Sequence, residues 1–169
     1  YDKQGADEMV FFDITASAHG RDTMVDVMRR VASRCFMPLT VGGGIRTGGD
    51  MGIMLKAGAD NISINSAALA KPELIREGAE KFGSQCIVVS FDAKTTGDGR
   101  WGGSSHVGRK ETGLSGVDWS ARSFSLGAGQ IDFNRIDSDG AKSGSDFATT
   151  MPVSHTHLTR PAHAPLRIG

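Results

Sequence analysis

Little cysteine, no surplus of either charge and no long apolar run set the first limits on this chain. Its only cysteines, Cys35 and Cys86, are far apart and belong to no CxxC or histidine cluster, so neither a disulfide framework nor a zinc site is expected and both read as buried thiols. Lys and Arg number 19 and so do Asp and Glu, which leaves a formal net charge of zero. A balanced chain of this kind offers no basic patch to nucleic acid or to an anionic membrane. No apolar stretch approaches the roughly 20 residues of a membrane span, and the opening residues Tyr1 to Asp7 do not have the form of a signal peptide. The expectation is a cytoplasmic protein. With 169 residues and 38% hydrophobic content, the chain can build one ordinary soluble domain.

What is present is an alternation of short apolar runs and longer helical patterns. Glu8 to Asp13 is too short for a helix and ends in a carboxylate, which suits a buried strand whose last residue emerges at a rim. From Asp22 to Arg34, Met24, Val25, Val27, Met28 and Val31 gather on one helical face. Leu39 to Val41 is the next strand, Gly48 to Ala57 the next helix, and Gly58 a natural stop. Asn61 to Asn65 reads as a strand and Lys71 to Phe82 as a helix with Pro72 in its first turn. Cys86 to Asp92 is the most strand-like segment of all. Beyond Lys94 the composition turns to Gly, Ser and Thr, and Thr95 to Gly113 is expected to form a polar loop or small hairpin. A helix follows over Gly116 to Leu126. Ile131 to Ile136 falls where another strand is due, yet Asp132, Asn134 and Arg135 make it a poor buried one. Strands joined by helices at this spacing predict parallel βαβ units with right-handed crossovers.

The strand ends carry the chemistry. Leu39 to Val41 stops in Gly42, Gly43 and Gly44, which can adopt positive φ and present N–H groups beside the positive end of a helix starting near Thr47, the outline of a phosphate cradle. Other strands end at Asp13, Asn65 and Asp92, and the turn Asp137-Ser138-Asp139-Gly140 follows the last. Singly, such a carboxylate serves to cap the next helix or turn. In a parallel α/β barrel, however, these ends share one face, so the set would converge on one pocket.

These residues also carry a resemblance. Phe12-Asp13-Ile14-Thr15-Ala16-Ser17, Val41-Gly42-Gly43-Gly44-Ile45-Arg46, Gly58-Ala59-Asp60 with Ser63-Ile64-Asn65, Phe82-Gly83-Ser84-Gln85 and Asp92-Ala93-Lys94 resemble the cyclase subunit of imidazole glycerol phosphate synthase. The likeness continues more loosely through Gly108-Arg109-Lys110, Gly127-Ala128-Gly129 and Asp139-Gly140. That family is a (β/α)8 TIM barrel, of which the resemblance assigns this chain about strands 2 to 6. It implies an enzyme of histidine biosynthesis, a lyase. Such an enzyme takes ammonia from a glutaminase partner and converts a substrate with a phosphate at each end to imidazole glycerol phosphate and an aminoimidazole carboxamide ribotide. By the same resemblance, Asp92 is catalytic, and Gly43, Gly44, Asn65, Ser66, Asp139 and Gly140 hold substrate or its phosphate. Glu8, Asn61 and Gln130 stand at the ammonia gate, and Asp60 and Gln85 face the partner. No cofactor and no metal is implied.

Several departures accompany the likeness. Asn61 stands where the family usually has lysine and Gln130 where it usually has glutamate, so two gate charges are neutralised. Residues 1–151 form the expected partial barrel domain. The stretch 152–169 reads as an unstructured, non-native tail that resembles translated sequencing adapter. Its His155, His157 and His163 lack a carboxylate or cysteine partner for a metal. On this reading the chain is a fragment, inactive by itself. Two alternatives stand beside it: a phosphate-binding half-barrel-like module that self-associates, and the sister phosphoribosyl-formimino isomerase.

Overall fold

In a computed structural model of the protein, residues 8–12, 18–95, 101–105, 110–135 and 166–168 are described. Strands β1 (Met9–Phe12), β2 (Leu39–Gly42), β3 (Asn61–Ile64) and β4 (Ile87–Thr95) pair side by side in parallel, and β7 (Gln130–Arg135) joins β4 on its far edge, also parallel. Helices α1 (Ala18–Ala32), α2 (Gly48–Lys56), α3 (Ser66–Ala70) with α4 (Glu73–Phe82), and α5 (Gly116–Ser125) connect them. Parallel neighbours need such crossovers because a tight turn cannot return the chain to the same end. The architecture is α/β, a partial TIM barrel built from parallel strands with intervening helices. No helix among the described residues is long and apolar enough to cross a membrane.

Period-two alternation decides which side chains meet the helices. Leu39 and Val41, Ile62 and Ile64, Ile87, Val89 and Phe91, and Ile131 turn outward and pack with Met28, Met51, Met54, Leu74, Ile75, Trp119 and Phe124 in one core. The other face is mixed: Thr40, Ser63, Ser90 and Asp92 are buried there with Val88, while Val10 and Phe12 are exposed. Three contacts on that inner face share a sense. Thr40 hydrogen-bonds Glu8 although its register partner is Val10. Ser63 bonds Ser90 although its register partner is Val88. Asn65 follows the Ile64↔Val89 pair and bonds Asp92. Each step climbs along the next strand, the stagger produced when strands tilt around a barrel axis.

The structure departs from the sequence reading at three places. Helix α1 begins at Ala18, before the expected Asp22. A short helix, α3, precedes Pro72, which is the N-cap of α4. The polar segment after Lys94, expected as a loop or small hairpin, contains the antiparallel strands β5 (Trp101–Ser105) and β6 (Lys110–Ser115), which extend the sheet from β4. Asp92 and Ala93 pair with both β5 and β7, so β5 must lie on the β3 edge of β4, beyond Ile64. Finally, β7 pairs with β4 from Val88↔Gln130 to Ala93↔Arg135 despite its polar residues. Gln130 and Asp132 alternate with core Ile131, so the strand is apolar only toward the helices. Of the stretch expected as a tail, residues 152–165 lie outside the described set, and Leu166–Ile168 form a short strand, β8, parallel to β7.

Candidate active site at the strand ends

The C-terminal parts of β2, β3 and β4 and the residues just after β2 and β3 carry Gly43, Gly44, Asn65, Ser66 and Asp92, five of the residues expected to bind and react. Gly43 and Gly44 leave β2 with φ of 88° and 65°, the left-handed region that costs glycine nothing and a β-branched residue a great deal. An added Cβ at Gly44 would meet nothing within 4 Å, so its surroundings are open. Because Gly42 is paired with Ser63, the glycines stand beside the end of β3, where Asn65 and Ser66 begin α3.

Asp92 is the chemically loaded member. It is only 8% exposed, yet it lies on the inner face of β4, and the Asn65 amide donates to its Oδ2 at 2.9 Å. A buried carboxylate held by a hydrogen-bond donor is oriented rather than free to rotate. Beneath this pair the Ser63 and Ser90 hydroxyls bond each other. Asp13, Asp137, Asp139 and Gly140 lie outside the described residues.

The helix end expected to support the glycine cradle, that of α2, carries the Asp50 carboxylate. Thr47 accepts from the Asp50 N–H at 3.1 Å, and the Asp50 carboxylate accepts from the N–H groups of Arg46 and Thr47 at 3.0 and 2.9 Å. This capping box places a carboxylate, 8% exposed, on the donors an anion would need. An anion at the glycines would share this end of α2 with the Asp50 carboxylate, with the N–H groups of Gly43 and Gly44 and the start of α3 beside it.

At the opposite ends of the strands, the residues matched to the gate form a hydrogen-bonded set. Thr40, fully buried, donates to Glu8 Oε1. Asn61 lies 3.2 Å from the same hydroxyl, and the amide orientation that satisfies both its ends directs nitrogen to the carbonyls of Asp60 and Gln85, at 3.1 and 3.0 Å. A hydroxyl has one proton, so Glu8 and Asn61 compete for it. Gln130 is not brought to this cluster; its amide donates to Asp132 Oδ1 at 2.9 Å. Asp60 has a structural task, accepting from Leu39 N–H at 2.9 Å, while Gln85 is exposed in the 3₁₀ turn Ser84–Cys86. Cys35 and Cys86 are free and half-buried rather than fully buried. Burial, and secondarily the Asp60 charge, push the Cys86 thiol up, away from the thiolate that a nucleophile needs.

The sequence reading missed Thr40, Ser63, Ser90 and Asp132. A signal was present, since polar residues occupy every second position in Asn61, Ser63, Asn65 and in Ser90, Asp92.

A parallel βα array with an outward apolar face, a mixed inner face and a held carboxylate at one rim is the construction of a barrel enzyme. The family model described as histidine biosynthesis protein matches residues 1–162. The chain belongs to that family of histidine biosynthesis enzymes. The matched span includes residues 152–162, within the stretch that the sequence reading set apart as a tail.

Proposed function

We propose that this chain is the central part of the cyclase of imidazole glycerol phosphate synthase. The whole enzyme would use ammonia from a glutaminase subunit to convert the phosphoribulosyl-formimino aminoimidazole carboxamide ribotide to imidazole glycerol phosphate and the aminoimidazole carboxamide ribotide, a lyase reaction in the cytoplasm. The observation that carries the reading is Asp92, buried on the inner face in the C-terminal half of β4 and bonded by Asn65, where a carboxylate can exchange protons with bound substrate. Imine formation, elimination and ring closure all need such exchange. Gly43, Gly44 and Ser66 would hold one substrate phosphate, and Asp139 and Gly140 would contribute from beyond β7. Ammonia would enter past Glu8, Asn61 and Gln130, and Asp60 and Gln85 would face the glutaminase.

Within the family, Phe12-Asp13-Ile14-Thr15-Ala16-Ser17 and Gly83-Ser84-Gln85 favour the cyclase over the isomerase. The full-length protein should turn over the cyclase substrate when supplied with ammonium salt alone. Turnover of the isomerase substrate instead would overturn the assignment.

The phosphate end is tested separately. Titration of inorganic phosphate to millimolar concentration should protect the amides of Gly43 and Gly44 from exchange. Gly44→Val should abolish that protection, because a β-branched residue is costly at φ of 65°. Amides indifferent to phosphate in the unaltered protein would remove Gly43 and Gly44 from the site.

A further inference from the structure

We propose that the Asn65 side chain is a positioning group for Asp92, and not a ligand of the phosphate held at Gly43 and Gly44. This rests on the proposed use of Asp92 in proton transfer.

Three observations meet at Asn65. It is the N-cap residue of α3, and asparagine is among the best caps, yet its side chain makes no cap hydrogen bond. The amide turns instead across to β4 and donates Nδ2 to Asp92 Oδ2 at 2.9 Å. Its Oδ1 is buried with no hydrogen-bond partner. A residue serving stability would cap the helix or pair both ends of its amide, since an orphaned buried acceptor is costly. The amide cannot be reversed, because Oδ1 would then face the carboxylate acceptor-to-acceptor. One of its two N–H donors is therefore committed to the carboxylate. The backbone at Asn65 and Ser66 remains with the glycines, while the side chain belongs to the reacting end.

For Asp92 the consequence is orientation. One carboxylate oxygen accepts from Asn65, which contributes to setting the plane of the carboxylate. Catalysis depends on such placement, and a displacement of about 1 Å can cost about a hundredfold.

The two roles separate by experiment. In the full-length protein, Asn65→Leu should leave the phosphate protection of the Gly43 and Gly44 amides intact. Asp92→Ala should shift the Asn65 side-chain amide resonances and speed their exchange, an effect that phosphate does not produce. Neither measurement needs turnover. In the ammonia-dependent assay, Asn65→Leu should lower kcat about tenfold or more with KM changed less than about twofold, the pattern of a lost transition-state interaction. Asn65→Gln, which keeps a donor, should recover most of that loss.

Loss of phosphate protection in Asn65→Leu, an Asn65 amide indifferent to Asp92→Ala, or equal impairment in Asn65→Leu and Asn65→Gln would each overturn the proposal. If the unaltered protein shows no cyclase turnover but the Asn65 amide responds to Asp92→Ala, the cyclase reading fails and the pairing of Asn65 with Asp92 stands.

Discussion

Asp92→Asn is expected to leave the full-length protein folded and to reduce ammonia-dependent turnover by at least about a hundredfold, the usual scale for a general acid or base. The substitution is nearly isosteric, so the packing of β4 against β3 and β7 is undisturbed. What changes is the proton inventory. A carboxylate accepts through both oxygens and can take and return a proton, whereas an amide offers one acceptor and a fixed donor. Next to it, Asn65 would meet either the new oxygen, which it can still bond, or the new nitrogen, which repels it. Circular dichroism and thermal melting report the fold, and initial rates at saturating ammonium report the chemistry. Activity within a factor of a few of the unaltered enzyme would show that Asp92 only shapes the rim.

The second large effect is expected far from that rim, at Gly129. A Cβ there would lie 2.2 Å from the carbonyl oxygen of Ser84, 2.8 Å from its carbon and 3.0 Å from the Gln85 Cα. These are backbone atoms, so no rotamer change relieves the clash. Nor can the segment back away, because Gly129 N–H donates to Ile87 O at 2.9 Å and the next residue is already in register with Val88. Gly129→Ala should therefore destabilise by about 3 kcal/mol or more, the upper part of the range for overpacking. For a domain of this size that corresponds to a melting temperature lower by roughly 6–12 °C. Gly48→Ala is the control: it lies in α2 with nothing within 4 Å of the added methyl, and should be neutral or stabilising by up to about 1 kcal/mol. Equal melting temperatures for the two variants would mean that the Ser84–Gln85 turn yields freely.

Much of the fold was legible because a strand covered on both faces reads as a short apolar run and a helix covered on one face reads as a stripe. The runs at β2 and β4 and the apolar stripe of α4 marked those elements. Helix α3 was not legible, since Ser66–Ala70 is a single short turn of small and apolar residues with no polar face to define a stripe. Strand β7 was undervalued for a physical reason: parallel strands are usually apolar on both faces, whereas here the inner one carries polar side chains on β2, β3, β4 and β7.

The site was legible as a list of strand ends but not as a set of pairs. Nothing in the chain announces that Asn65 reaches Asp92, or that Thr40 reaches Glu8, because both pairings depend on how far one strand is displaced along the next. The acidic residue three places after Thr47 was a readable capping signal that outweighs the glycine-rich approach to α2.

That displacement gives each strand a double key. Removing one residue from β4 would exchange its faces, sending Phe91 into the mouth and Asp92 toward the helices, and the core would reject it. Removing two keeps the faces correct and the core nearly unchanged, yet it moves the carboxylate to a different rung and leaves Asn65 opposite another residue. Length changes within the strands of this barrel thus divide by parity: odd ones are lost through misfolding, and even ones can survive as folded proteins that have lost their chemistry.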